Sequence, residues 1–173
     1  MRRTLLTLVM VSPLLALAGV PKQCQLEVSQ SARLGQAQQA FRPGDPGEAV
    51  RLWDEVLDGS NGGPPCRTVE IVWRIGEFLK VQKEASPEMA LRYLNRGIAA
   101  HVKGLPGEDW SLGKVFKTTG HFFRRHGDMA SACKSLNAAW RIFSTQTGAT
   151  TVREQTRAEM LLTGCPPPAM PSP

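Results

Sequence analysis

Two fourteen-residue stretches, GDPGEAVRLWDEVL at 44–57 and GDMASACKSLNAAW at 127–140, match in outline. Each opens on Gly-Asp and then places an alanine four residues ahead of a large apolar residue: Ala49 and Trp53, Ala132 and Leu136. A repeat of this kind points to stacked supersecondary units, because a single unit cannot bury its apolar face alone. It constrains the architecture and leaves the function open.

Helix punctuation surrounds both stretches. Asp45-Pro46-Gly47-Glu48 supplies an N-cap, a proline in the first turn and an acid three residues after the cap. Ser86-Pro87 opens a helix in the same manner, and Asp128 can cap the segment from Met129. Thr151 with Glu154 has capping-box spacing, and Gly164 stands where a C-terminal glycine belongs. GSNGGPP (59–65) and KGLPG (103–107) read as loops. No segment sustains a period-two alternation, so no strand is expected. The pattern predicts an all-α chain with helices over 24–41, 46–58, 67–84, 87–102, 110–126, 129–145 and 151–163. That makes three hairpins and one final helix.

The hairpins share a finer pattern. Phe116, Gly120 and Phe123 occupy a first helix; Ala132 follows Gly120 by 12 residues, then come Leu136 and Ala139. Val72, Ile75, Gly76 and Leu79, followed by Ala90, Leu94 and Gly97, repeat it. Ala37, then Ala49, Trp53 and Val56, carry a weaker first copy. Over residues 24–146 the chain resembles the tetratricopeptide-repeat (TPR) family. The resemblance implies about three stacked antiparallel helix hairpins, with small residues where helices approach and large ones beside them, plus a C-terminal capping helix. The second-helix alanines are spaced by 41 and 42 residues, longer than the family's repeat of about 34. The linkers between units are therefore stretched.

The N-terminus reads MRRTLLTLVMVSPLLALAGV. Arg2 and Arg3 precede an apolar run, and Ala16-Leu17-Ala18 offers a small-residue cleavage site. This is the pattern of a secretory signal peptide over residues 1–18. The run is too short to span a bilayer and contains Pro13. The expected layout is a signal peptide (1–18), a helical domain (19–165) and a Pro-rich extended tail (166–173). The full chain carries 21 − 15 = +6 charges; without Arg2 and Arg3 the balance is 19 − 15 = +4. That mild excess permits an anionic partner without requiring one.

Four cysteines, Cys24, Cys66, Cys133 and Cys165, suit two disulfides in an exported chain, with three connectivities open. The TPR resemblance selects among them. Cys24 and Cys66 sit at the starts of the first helices of units one and two, which lie side by side in such a stack. Cys133 and Cys165 flank a turn near 147–149 almost symmetrically, so an antiparallel hairpin brings them level. The expected pairs are Cys24–Cys66 and Cys133–Cys165.

No G-x-S-x-G, H-E-x-x-H or phosphate-loop motif is present, so no catalytic residue is assigned. His121 and His126 are five residues apart and His101 is distant, a poor set for a metal. No metal or cofactor is expected. The sharpest signal is a single-sign stripe: Lys114, Lys117, His121, Arg124 and Arg125 fall on one helical face. The TPR resemblance implies that this face lines a concave groove. The same count gives Glu70, Trp73, Glu77 and Lys80 in the second unit, and Ser31, Leu34, Gln38 and Phe41 in the first.

Glu70 and Glu77 read as surface charge rather than as a catalytic pair. The stripe itself reads either as a solvated helix face or as a groove for an acidic or carboxylate-bearing peptide, with Trp73 as an apolar shelf. Export argues against a nucleic-acid partner, and nothing after residue 18 is apolar enough to insert stably in a membrane. The sequence thus points to an exported protein of the bacterial periplasm or cell exterior. It would mediate protein–protein interaction in envelope assembly or scaffolding. The alternative of another class is a small enzyme or ligand-binding protein using the groove as a pocket.

Overall fold

The computed structural model describes residues 22–42, 45–82, 85–104 and 110–165. The signal-peptide assignment at 1–18 and the Pro-rich tail at 166–173 lie outside the described residues. A short 3-10 turn, Lys22–Cys24, leads into seven helices: α1 (Val28–Ala40), α2 (Gly47–Gly59), α3 (Pro65–Val81), α4 (Pro87–Gly104), α5 (Trp110–Arg125), α6 (Met129–Thr145) and α7 (Thr150–Thr163). Among the described residues there is no strand.

The local rules set most boundaries. Asp128 caps α6 by accepting the Ser131 N–H at 3.0 Å. Gly164 ends α7 in the left-handed region at φ 78°, a conformation glycine adopts without steric cost. Four expected starts shift: α2 opens one residue late, at Gly47, with Pro46 rather than Asp45 as its N-cap, and α3 opens two residues early, at Pro65, inside the expected loop. The first helix begins at Val28 rather than at Cys24, because Gln30 Oε1 accepts the Glu27 N–H at 3.0 Å and anchors the first turn there. Helix α7 begins at Thr150 with Ala149 as its N-cap, so Thr151 lies inside the helix and caps nothing. The Arg153 N–H bonds to the Ala149 carbonyl at 2.9 Å, which sets the start one residue early.

Helices α1–α2, α3–α4 and α5–α6 pack as successive hairpins. Helix α3 also packs along α5, and α7 packs on α6 and reaches α5. This is an all-α helical-repeat arrangement. Its register is visible at the small residues. Ala49, Ala90 and Ala132 are all fully buried. A Cβ added to Gly76 would meet Leu94 Cδ2 at 2.9 Å, and one added to Gly120 would meet Leu136 Cγ at 2.7 Å. Leu94 and Leu136 each follow their unit's buried alanine by four residues, so the two contacts are equivalent. Phe123 is only half-buried, whereas its neighbour Phe122 is buried and joins the core of the first two units together with Val115. Phe122 and Val115 are seven residues apart and so share the face of α5 that meets those units.

Units one and two also share an aromatic cluster. Trp53 lies 6.0 Å from Phe41, 6.0 Å from Phe78 and 5.6 Å from Tyr93, centroid to centroid. Offset and edge-on contacts of this kind add to simple area burial. Outside the core, Asp54 on α2 binds Arg92 at 2.9 Å and Arg96 at 3.0 Å on α4. The disulfides pair as expected: Cys24–Cys66 with Cα atoms 5.2 Å apart, and Cys133–Cys165 with Cα atoms 5.6 Å apart.

Candidate functional site

Helix α1 is pinned to α3 at both ends. At the N-terminal end, the Cys24–Cys66 bridge ties the residues ahead of α1 to the start of α3. Arg67 adds a 2.6 Å ion pair to Glu27. At the other end, Phe41 meets Phe78 edge-on at 5.5 Å. Between these anchors α1 does not pack closely along α3, whereas α5 does. The result is a cleft of about 460 Å³ lined by Ser31, Leu34 and Gln38 from α1 and by Trp73, Arg74, Glu77 and Phe78 from α3. A neighbouring hollow, lined by Gln25, Leu26, Ser31, Glu70 and Arg74, continues it towards the disulfide end.

The helical period explains this lining. Ser31, Leu34 and Gln38 are spaced by three and four residues, as are Glu70, Trp73 and Glu77. Leu34 is buried, Trp73 and Phe78 are half-buried, and Ser31, Gln38 and Arg74 are exposed. The cleft thus has an apolar floor and polar walls.

The acids in this region differ from the sequence expectation of surface charge. Glu70 is only 2% exposed. Its burial is compensated by two cations: Arg74 Nε donates at 3.0 Å, and Lys114 Nζ from α5 stands 3.7 Å away. A buried carboxylate needs such partners to remain inside. Glu77 accepts from Lys80 Nζ at 2.6 Å and from the Thr118 hydroxyl at 2.6 Å.

The basic stripe of α5 is drawn into the fold. Lys114 Nζ sits 3.9 Å from the centroid of the Trp73 ring, a cation–π contact between α5 and α3. Lys117 Nζ donates to Gln155 of α7 at 2.9 Å. Burial, with Lys80 nearby, holds the Lys117 ammonium below its ordinary pKa. His121 Nδ1 and Arg124 Nε lie 3.4 and 3.5 Å from the Glu159 carboxylate of α7. The adjacent His121, with Arg124 and Lys117, holds the Glu159 carboxyl below its usual range. Arg125 donates to the carbonyls of Lys80 at 2.8 Å and Gln82 at 3.2 Å, finishing α3. Lys80 and Glu77 therefore sit between the cleft and the stripe.

The structure brings Trp73, Glu70 and Lys114 together, and Lys80 with Glu77. It turns Lys117, His121 and Arg124 towards Gln155 and Glu159 of α7, with Lys117 still close enough to Glu77 and Lys80 to feel their charges. Arg74 and Phe78 also line the cleft, outside the residues to which the sequence points. The signal for Arg74 was its i+4 spacing from Glu70. Among the described residues no group of three or more His, Cys, Asp or Glu is arranged to hold a metal ion, and no helix is long and apolar enough to cross a membrane.

Comparison with protein-family models, with curated proteins and with solved structures finds no match.

Proposed function

We propose that the chain is an exported, TPR-like helical-repeat protein that binds a segment of a partner protein in the cleft between α1 and α3. One observation carries this reading. Two helices pinned at both ends stay apart in the middle and leave a cleft of about 460 Å³ with an apolar floor and polar walls. That composition suits recognition, in which apolar groups supply affinity and a few polar groups fix orientation. The exposed Ser31, Gln38 and Arg74 on its rim keep the cleft partly open to solvent, which leaves room for a chain-like partner to pass through. Two cysteine pairs at bonding distance and the signal-like N-terminus support export, since disulfides persist in oxidising compartments. In that setting the role is a scaffold or assembly factor of the cell envelope.

The test is capture from an envelope fraction with the mature protein and with a variant whose cleft is filled by Ser31→Trp and Gln38→Trp. Both positions are exposed, so the fold should tolerate them. Proteins captured by the wild type and lost with the filled cleft support the reading. Equal capture by both contradicts it.

A further inference from the structure

The charges around the cleft define its ligand more narrowly. Three cations, Arg74, Lys80 and Lys114, stand against two carboxylates, Glu70 and Glu77. Both carboxylates are already engaged: Glu70 by Arg74 and Lys114, Glu77 by Lys80 and Thr118. An incoming cation would have to compete with these built pairs.

Arg74 differs from the other two cations. Only its Nε is used, donating to Glu70 at 3.0 Å. Its two terminal nitrogens have no partner among the described residues, and its side chain is 49% exposed on the cleft wall. A guanidinium held by one nitrogen presents its other two in a fixed fork, the geometry that clasps a carboxylate with two parallel hydrogen bonds. The Glu70 bond fixes the fork's direction before any ligand arrives, which lowers the entropy lost on binding. Beside it lie the Leu34 side chain and the Trp73 and Phe78 rings. Across it, the Ser31 hydroxyl and the Gln38 amide offer donors and acceptors to a peptide backbone.

We propose that the cleft takes an acidic peptide segment bearing a bulky apolar residue. The apolar side chain seats among Leu34, Trp73 and Phe78, and a neighbouring carboxylate is clasped by the free fork of Arg74. The proposal rests on the binding reading above and specifies its ligand. It moves the anion contact from the α5 stripe, which α7 engages, to α3.

The experiment uses three fluorescein-labelled octapeptides, titrated by fluorescence anisotropy against the mature, disulfide-bonded protein. The first has a central Leu-Trp pair flanked by Asp and Glu. The second has the same pair flanked by Lys and Arg. The third keeps the acids around Gly-Ser. The first should bind at least about tenfold more tightly than either of the others, a difference equivalent to roughly 1.4 kcal/mol. Arg74→Gln should remove that advantage. So should Ser31→Glu, which places a like charge on the facing wall at an exposed site and leaves Glu70 paired. Circular dichroism checks that both variants keep the fold.

Equal or tighter binding of the basic-flanked peptide overturns the acidic assignment, as does an Arg74→Gln variant that binds the first peptide unchanged. Saturation by none of the three overturns the ligand class. The capture experiment with the filled cleft still tests the cleft itself separately.

Discussion

The ammonium of Lys114 rests 3.9 Å from the centre of the Trp73 ring and 3.7 Å from the Glu70 carboxylate. One residue of the third unit thereby fixes both a groove aromatic and a buried acid of the second. Lys114→Ala should leave Glu70 with Arg74 alone and lower stability by about 1–3 kcal/mol. Denaturant titration measures this. A change within about 0.5 kcal/mol, the range of ordinary surface substitutions, would mean that the contact adds no stability.

The repeat register makes opposite forecasts at two helical glycines. A Cβ at Gly120 would lie 2.7 Å from Leu136 Cγ, whereas one at Gly35 meets nothing within 4 Å. Gly120→Ala should therefore cost about 1–3 kcal/mol through overpacking. Gly35→Ala should gain up to about 1 kcal/mol from helix propensity. Thermal melts of the two variants check the pair. Equal effects would contradict the close approach of α5 and α6.

The helix pattern was largely legible because proline, glycine and aspartate mark its boundaries. Pro87, Asp128 and Gly164 stand at or beside the observed ends of α4, α6 and α7. Thr151 misled because capping-box spacing recurs inside helices, where no free N–H awaits a cap. The cleft's α1 wall and part of its α3 wall followed from helical spacing only once the TPR resemblance had said which face lines the groove. The burial of Glu70 did not, since its second neutralising charge comes from Lys114, 44 residues away in sequence. The fate of Lys117, His121 and Arg124 was hidden for the same reason. A run of cations on one helix does not reveal which later helix supplies Gln155 and Glu159.

The two disulfides span 42 and 32 residues. On the loop-entropy model each should contribute about 2–4 kcal/mol. Non-reducing peptide mapping should recover Cys24–Cys66 and Cys133–Cys165. Cys24→Ser with Cys66→Ser should also weaken peptide binding, because that bridge anchors one end of the cleft. Removing the second pair should lower stability with less effect on binding. Cys66 joined to Cys133 would refute the register.

Acidification should loosen α7. The Glu159 carboxyl has a folded pKa depressed below 4.5, chiefly by His121, then Arg124 and Lys117. A depressed carboxylate contributes stability above its unfolded pKa and loses it as pH falls through the folded value. Wild-type stability should therefore fall more steeply below about pH 4.5 than that of Glu159→Gln. Urea midpoints between pH 3 and pH 6 test this. Parallel curves for the two proteins would contradict the assignment.

The α1–α3 cleft, rather than the basic stripe of α5, is the surface to which the binding account commits. Nuclear magnetic resonance separates them directly. The acidic Leu-Trp octapeptide is titrated into ¹⁵N-labelled protein, and amide and indole shifts are followed. Saturable shifts are expected at Ser31, Gln38 and Arg74 and at the Trp73 indole, with little change at Lys117, His121 and Arg124. Shifts centred on those three residues and on Glu159 of α7, with α1 unmoved, would contradict it.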